Sequence, residues 1–363
     1  SMRQKFGRQL RGADKYSYDF HSEFAVETYL DHQGQSFVDR FDANSYLYIT
    51  KAADYFDLPR DYGSLKKAFA GVKARFLVVS FSSDWLFTPA QAEAMVDALV
   101  ANGKDVSFCN IASDYGHDAF LLEEETLGAF LSNFLKATHR PGVKAGPLGD
   151  CCNGKCAAIA RQAQRVRVDY ELIESLIRPD STVLDVGCGD GELLARLTAD
   201  KHIRGKGIEL DESLVMGCVC RGIAIIQRDI DRELGSYGDK SFDYVILSQT
   251  VQTIKEPERV FKELLRVGRK VIVSFPNFAH WRCRLQLLFG GKSPVTQQLP
   301  FRWHNSPNIH FLSLKDFDGF CRDIGAAVEK RIPLVETSLS PIRFGANLLA
   351  EQAIYVTSQT CEK

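Results

Sequence analysis

Apolar runs bounded by polar turns recur along the rear part of the chain and alternate with segments of helical spacing. The runs lie at residues 182–186, 224–226, 241–247 and 270–275, and a closing run lies at 353–357. Short runs rich in β-branched residues predict strands that are covered on both faces. Between them, leucines such as Leu193 and Leu197 recur on one helical face. This alternation predicts an α/β fold with a parallel sheet.

The front part has fewer strands. Residues 75–81 and 106–111 are buried-strand patterns, separated by a predicted helix over 89–102 and followed by another over 123–137. Residues 1–60 are predicted to be helical. Two parallel strands are too few to bury a core. We therefore expect residues 1–139 to expose apolar surface and a strand edge unless another chain completes them.

The stretch between the two parts contains two prolines and four glycines, with no strand or helix period. This composition predicts a linker over 140–160, between domains at 1–139 and 161–363. Cys151, Cys152 and Cys156 are candidate metal ligands. However, their spacing is not C-x-x-C and the linker holds no histidine, so we interpret them as loop thiols and expect no metal.

A glycine loop follows the strand at 182–186. It has the spacing G-x-G-x-G rather than the G-x-G-x-x-G of dinucleotide enzymes, and an acid follows about 20 positions further on. Such an acid can accept both hydroxyls of a ribose. The alternative is an ordinary tight turn from strand to helix. The residues concerned are Asp185, Gly187, Gly189, Gly191 and Glu209.

With the acid before the glycines, this pattern resembles the first motif of class I S-adenosylmethionine (SAM)-dependent methyltransferases. The resemblance implies a Rossmann-like domain in which the glycine loop passes the methionine part of the ligand and Glu209 holds the ribose. It also implies that Asp229, after the third strand of this domain, bonds the adenine amino group. The alternative for Asp229 is a solvated loop acid.

Longer strings narrow the resemblance. LDVGCGDGELL, VILSQTVQ, IVSFPNFAHWRCRLQLL and PNIHFLS together resemble MetW, a methyltransferase-like family of methionine biosynthesis. The match covers most of residues 165–335. It implies SAM or its demethylated product S-adenosylhomocysteine (SAH) as the cofactor.

The front part carries a second resemblance. FDANSYLYITKAADYFDL is similar to the lid region of the homoserine O-acetyltransferases (MetX), and SSDWLFTP and SDYGHDAFL follow the two strands. That family belongs to the α/β-hydrolase superfamily, in which the triad runs Ser, Asp, His. The resemblance implies that Asp84 orients His117, that His117 moves the proton of the nucleophile, and that Asp118 holds the homoserine amino group. Taken singly, Asp84 could be a helix cap or turn residue and His117 a loop histidine.

The nucleophile of such a triad is absent, because no G-x-S-x-G occurs in the 363 residues. Ser80, Ser82 and Ser83 are poor substitutes, since they precede Asp84 on the same strand end. The expected partner is therefore the N-terminal part of a homoserine O-acetyltransferase, or a full acetyltransferase chain, with acetyl-CoA as the acyl donor.

Composition narrows the remaining classes. A formal net charge of −1 gives no general attraction to nucleic acid, and no apolar run has the length of a membrane span. The ten cysteines are scattered, which is typical of reduced thiols in a cytoplasm. We also expect an oligomer.

Together the two resemblances indicate a methionine-biosynthesis fusion of a partial α/β-hydrolase segment with a helical lid and a MetW-like domain. The leading hypothesis is acyl transfer from acetyl-CoA to L-homoserine, which requires the missing part, modulated by a SAM- or SAH-binding domain. The alternatives are an active SAM-dependent methyltransferase on an unknown acceptor, and a non-catalytic interaction scaffold.

Overall fold

The computed structural model describes residues 5–12, 14–18, 23–138, 168–231, 234–335, 342 and 344–360. The chain divides into two compact units, Ser1–Ala68 and Phe69–Lys363. The predicted linker, with Cys151, Cys152 and Cys156, lies outside the described residues.

The first unit is helical, as predicted. Its helices are α1 (Ala25–Arg40), α2 (Ala43–Tyr55), α3 (Leu58–Tyr62) and the start of α4 (Leu65–Phe69). Asp42 begins α2 by accepting a hydrogen bond from the Ser45 amide at 2.7 Å. None of the described residues of this unit is buried, and Tyr48 is 77% exposed and Phe56 71%. The expected apolar surface is therefore present.

The second unit is built on a nine-stranded sheet. Its strands are β1 (Phe76–Phe81), β2 (Val106–Ile111), β3 (Thr182–Val186), β4 (Arg204–Glu209), β5 (Ala224–Gln227), β6 (Phe242–Ser248), β7 (Gly268–Pro276), β8 (Ala326–Leu334) and β9 (Gln352–Gln359). They are ordered β1-β2-β5-β4-β3-β6-β7-β9-β8. The first seven in this order are parallel, and β9 runs antiparallel between β7 and β8. The central order β5-β4-β3-β6-β7 is that of a Rossmann sheet, so the predicted α/β, Rossmann-like fold is confirmed.

Helices cover both faces of the sheet. They are α5 (Pro89–Ala101), α6 (Ala119–Leu122), α7 (Glu124–Thr138), α8 (Val168–Leu176), α9 (Glu192–Lys201), α10 (Glu212–Cys220), α11 (Pro257–Val267), α12 (Trp281–Gly290), α13 (Leu314–Asp323) and α14 (Ala346–Leu349). Leu184 and Val186 belong to one hydrophobic cluster and Val183 to the other, so the clusters lie on opposite faces. Each cluster contains residues from both the front strands and the rear strands. Phe108 and Leu184 share the first, and Cys109 and Val183 share the second.

The front strand pair continues the rear sheet. β2 pairs in parallel with β5 at Phe108 and Ile226. One edge of the front strand pair is therefore covered within the same chain, and the strand edge expected to be exposed is that of β1 alone. The reason is that β2 and β5 would otherwise both be unpaired edges, and each satisfies the other. β1 remains the edge strand at this end of the described sheet.

The sequence pattern did not reveal β8, α12 or α13. The helix predicted over 123–137 is confirmed as α7, but the pattern did not reveal the short α6 directly before it. β8 was missed because its middle, Glu329, Lys330 and Arg331, is exposed and charged, as is usual at a sheet edge.

Candidate functional site

Every predicted site residue lies at the edge of the sheet that is formed by the carboxyl ends of its parallel strands. Parallel strands present their carboxyl ends together, and ligands of open α/β sheets bind there. The strands and turns at this edge carry Asp84 after β1, His117 and Asp118 after β2, Asp185 and the glycines at β3, Glu209 at the end of β4, and Asp229 after β5.

Asp84 and His117 are brought into direct contact. The Nδ1 atom of His117 lies 3.0 Å from Asp84 Oδ2, and the Asp84 side chain is only 6% exposed. Asp84 Oδ1 accepts hydrogen bonds from the amides of Leu86 at 2.9 Å and Phe87 at 3.0 Å. Asp84 thus both orders its turn and holds the imidazole.

The charge of Asp84 is stabilised by these contacts. Burial alone would raise its pKa, but the hydrogen bonds from His117, Phe87 and Leu86 outweigh burial and hold the pKa below its ordinary value. Because an ionised carboxylate can only accept hydrogen bonds, His117 donates from Nδ1 and its Nε2 remains available as a base.

The surroundings of His117 are aromatic and tightly turned. The rings of Phe87 and Phe120 lie 5.1 and 5.4 Å from the imidazole, centroid to centroid. Gly116 precedes His117 with φ +64° and donates its amide to Ser83 Oγ at 2.8 Å. Asp118 is exposed at the start of α6. Its predicted contact with homoserine stays a prediction.

The three serines near Asp84 have structural roles. Ser80 Oγ donates to Asn110 Oδ1 at 2.9 Å, and Ser82 Oγ accepts from the Ser113 amide at 3.0 Å. Ser83 Oγ accepts the Gly116 amide described above.

The glycine loop after β3 is closely packed at two positions and open at one. Gly187, Gly189 and Gly191 have φ values of +72°, +61° and +76°. A Cβ on Gly187 would lie 2.7 Å from the Thr250 side chain, and a Cβ on Gly191 would lie 2.9 Å from Cys218 Sγ. A Cβ on Gly189 would meet nothing within 4 Å. Gly189 therefore borders open space.

Glu209 closes over this loop. Its Oε2 accepts the Gly189 amide at 2.9 Å, and its Oε1 accepts the amides of Leu210 at 2.8 Å and Asp211 at 3.1 Å. The acid predicted to hold a ribose is thus hydrogen-bonded to the middle glycine of the loop.

The other two predicted cofactor residues flank this centre. Asp185 is 2% exposed at the end region of β3. Asp229 is half-buried, and its Oδ1 accepts the Asp231 amide at 3.0 Å. Their assignment to SAM stays a prediction.

The sequence pattern did not predict the side chains that pack against the glycine loop and bond to it. Arg221 donates to Asp190 Oδ2 at 2.8 Å and to the Asp190 carbonyl at 3.0 Å. Cys188 and Cys218 lie 3.8 Å apart, Sγ to Sγ, and the hydrogen bond with Cys218 together with burial raises the pKa of Cys188 well above its ordinary value. No motif predicts these contacts, because they join residues about 30 positions apart.

Asp243 has a structural role at the start of β6. Its Oδ2 accepts from the Thr182 amide at 2.9 Å and from Thr182 Oγ1 at 2.8 Å. The Thr182 amide, together with the Thr182 hydroxyl and nearby arginines, outweighs burial and lowers the pKa of Asp243. The pair ties the start of β3 to β6.

Within the part of the chain that the structure describes, no group of three His, Cys, Asp or Glu side chains is arranged to hold a metal ion. No helix within it is long and apolar enough to cross a membrane.

The comparison with protein families decides where the rear part belongs. The family described as "Methionine biosynthesis protein MetW" matches residues 167–357. The chain belongs to the MetW family. The matched range contains the glycine loop, Glu209 and the strands from β3 to β9, except the last two residues of β9. The strands β1 and β2 and the helices α1 to α7 lie outside it.

Curated relatives extend the likeness to the front part. The chain is 34% identical over 345 residues to the "Bifunctional methionine biosynthesis protein MetXA/MetW" of Rhodopirellula baltica, covering 92% of this chain and 52% of that protein. It is 41% identical over 222 residues to a homoserine O-acetyltransferase of Methanohalobium evestigatum, covering 60% of this chain and 43% of that protein. It is 55% identical over 135 residues to a homoserine O-acetyltransferase of Methanobrevibacter ruminantium, covering 37% of this chain and 27% of that protein. The chain thus spans about half or less of the length of these relatives.

The predicted pairing of an acetyltransferase-like front with a MetW rear is confirmed by these relatives. Among solved structures, a SAM-dependent methyltransferase of Mesorhizobium loti is 14% identical, with a TM-score of 0.40, over 53% of this chain and 98% of that chain.

Proposed function

We propose that this chain supplies the base and the orienting acid for transfer of an acetyl group from acetyl-CoA to L-homoserine. Its MetW domain would bind SAM or SAH and modulate that transfer. The observation that carries the proposal is the 3.0 Å contact between His117 Nδ1 and Asp84 Oδ2 at the ends of adjacent parallel strands. This is the base-and-orienter arrangement of a hydrolase triad.

The chemistry is a two-step acyl transfer. A serine hydroxyl from a nucleophile-bearing part attacks the acetyl thioester while His117 Nε2 removes its proton, and coenzyme A leaves with a proton from the imidazole. The homoserine hydroxyl then attacks the acyl-serine while His117 removes its proton; the bond between the serine oxygen and the acetyl group breaks, the imidazolium returns the proton to the serine oxygen, and O-acetylhomoserine is released. Asp84 keeps the imidazole in the productive tautomer and stabilises its positive charge in both steps.

Asp118 is the proposed contact for the homoserine amino group. It directly follows His117 and its side chain is exposed, so a carboxylate is available beside the base. A carboxylate pairs well with an ammonium group, and such a contact positions the substrate rather than reacting. Asp118→Asn is therefore expected to raise KM for homoserine more than it lowers kcat.

The MetW domain is the proposed sensor. Glu209 beside the open Gly189 suits a ribose, and Asp229 at the next strand end suits an adenine amino group. SAM is made from methionine, so a domain that binds it can report the end product of the pathway to an early enzyme. If SAM binding changes the affinity of the acetyltransferase site for a substrate, that substrate must change the affinity of the MetW domain for SAM by the same factor, because the coupling between two binding sites is reciprocal.

The experiment compares the purified chain alone with the same chain joined to the N-terminal part of a homoserine O-acetyltransferase that carries G-x-S-x-G. Coenzyme A release from acetyl-CoA and homoserine is measured. We expect no turnover from the chain alone, turnover from the completed protein, and loss of turnover with His117→Gln. The proposal would be refuted by turnover from the chain alone, or by a completed protein that releases coenzyme A at the same rate with His117→Gln as without it.

The sensing role is tested on the completed protein by titrating SAM and SAH. We expect the rate to change with nucleoside concentration, and the response to disappear with Glu209→Gln. A rate that is independent of both nucleosides at concentrations that saturate binding would refute modulation while leaving acyl transfer intact.

A further inference from the structure

The nucleoside side of the MetW domain is contacted by the front segment. Arg228 directly precedes Asp229, and its guanidinium donates to Asp97 Oδ1 on α5 at 2.7 Å. Ser236 Oγ donates to the same oxygen at 2.6 Å, and Arg228 also reaches Ser236 Oγ at 3.3 Å. The Arg228 side chain is 10% exposed, so Asp97 neutralises a largely buried cation.

A second bridge lies one residue earlier. Gln227 Oε1 accepts the Asn110 amide of β2 at 2.7 Å, and Gln227 Nε2 donates to the Leu210 carbonyl at 3.1 Å. One side chain therefore links the front strand to the residue after Glu209. The Arg228 amide donates to the Glu209 carbonyl at 2.9 Å, which joins the two acid-bearing strand ends.

These contacts fix two backbone segments whose side chains are the proposed ligand groups. Arg228 is covalently joined to Asp229, and Gln227 and Arg228 together hold both residues of the Glu209–Leu210 turn. Asp97 and Asn110 belong to the acetyltransferase-like front, outside the MetW match at 167–357. None of the three side chains that make these contacts, Asp97, Gln227 and Arg228, needs to touch the ligand in order to position the two acids.

We propose that Asp97, Arg228 and Gln227 are positioning residues for the nucleoside site, so that the front segment sets the affinity of the MetW domain for the adenine end of SAM or SAH. This inference rests on the proposed nucleoside site and goes beyond it, because it assigns part of that site's geometry to a segment outside the MetW match. It also gives a physical route between the two sites, from α5 and β2 to β5.

The test is calorimetric titration of the whole chain with SAH. Asp97→Asn keeps the shape of the side chain and removes its charge, so Arg228 loses its anionic partner. We expect the SAH dissociation constant to rise about three- to tenfold, because residues in one polar network couple at this level. Asp97→Glu, which retains the charge, is expected to restore at least half of the lost affinity.

The matched control is Asp105→Asn. Asp105 pairs with Arg75 at 3.2 Å, and its side chain is 52% exposed against 43% for Asp97. This pair lies at the amino end of β2, away from the ligand edge. We expect Asp105→Asn to leave the SAH dissociation constant within about twofold of the starting value, whatever it does to the melting temperature.

A second ligand separates positioning of Asp229 from a general loosening of the fold. S-inosylhomocysteine has an oxo group in place of the adenine amino group, so it lacks the partner proposed for Asp229. We expect Asp97→Asn to reduce the preference of the chain for SAH over the inosine analogue. Equal weakening of both ligands would overturn the role of Asp97 in positioning Asp229.

The outcomes distinguish the two proposals. If the unaltered chain binds neither SAM nor SAH, the proposed nucleoside site is wrong and the positioning inference falls with it. If the unaltered chain binds SAH and Asp97→Asn binds it with the same affinity and the same preference, only the positioning inference is overturned.

Discussion

The glycine loop offers a pair of substitutions whose effects on stability and on binding should run in opposite order. Gly189 and Gly191 both have positive φ, so alanine at either position adds about 1–2 kcal/mol of backbone strain. Alanine also restricts the unfolded chain, which offsets about 0.4–1 kcal/mol of that cost. The positions differ in what the added Cβ would meet.

At Gly191 the Cβ would lie 2.9 Å from Cys218 Sγ, between the loop and α10. Forcing an extra methyl group into such a packed contact costs a further ~1–3 kcal/mol. We therefore expect Gly191→Ala to lower the free energy of unfolding by about 2–4 kcal/mol. At Gly189 nothing lies within 4 Å, so we expect a loss of about 1 kcal/mol.

Binding should follow the reverse order. The Cβ at Gly189 would project into the space proposed for the ligand, so we expect SAH affinity to fall about tenfold or more, which is about 1.4 kcal/mol. Gly191→Ala, measured at a temperature where it remains folded, should lose less affinity than Gly189→Ala. The assays are urea unfolding followed by circular dichroism, and calorimetric titration with SAH.

A double substitution isolates the packing part. Cys218→Ala removes the atom that the Gly191 methyl group would meet, so Gly191→Ala should cost about 1 kcal/mol less in that background. The reasoning would be refuted if Gly189→Ala were the more destabilising change, or if it bound SAH like the unaltered chain.

Three further expectations follow from single contacts. In the completed acetyltransferase, Asp84→Asn should reduce kcat about 10⁴-fold, because the imidazole loses its orienting anion, and a loss below tenfold would contradict the triad assignment. The pKa of Asp84 is lowered in the folded state, so its ionisation stabilises the fold above about pH 4, and this stabilisation is lost as the pH falls through the lowered pKa. The difference in urea midpoint between the unaltered chain and Asp84→Asn should therefore shrink from pH 6 to pH 2. A difference that stays constant over this range would contradict the expectation. Tyr237→Phe should leave the free energy of unfolding unchanged or raise it by up to about 1 kcal/mol, since the buried Tyr237 hydroxyl has no hydrogen-bond partner among the described residues. The control Tyr355→Phe should lower it by about 1–2 kcal/mol, because that hydroxyl donates to Asp318 at 2.9 Å, and equal effects of the two changes would refute the distinction.

The sequence pattern predicted most of the strands in their order along the chain, and it predicted which polar side chains follow the strand ends. Apolar runs located β1, β2, β3, β5, β6 and β7 within two residues, because strands buried on both faces form nearly continuous apolar runs. The Asp84–His117 contact was foreseeable because residues after adjacent parallel strands must meet. β8 was not, since its exposed middle breaks the apolar pattern.

What the sequence could not supply was the partner of each strand edge and the contacts over long separations. The joining of β2 to β5 depends on two edges more than 100 residues apart, and no local pattern encodes that choice. The same holds for Asp97 with Arg228 and Asp190 with Arg221. These pairs arise only once the sheet order is fixed, so they were absent from the predicted site.

The two hydrophobic clusters have a consequence for how the protein unfolds. Each cluster contains side chains of both the acetyltransferase-like front and the MetW rear. Unfolding of either part would therefore expose the hydrophobic core of the other to water. Calorimetric melting of this unit should give a single endotherm whose van't Hoff and calorimetric enthalpies agree. Two segments with different ancestries would then share one cooperative transition, and a core defect in either would register as lost stability in both.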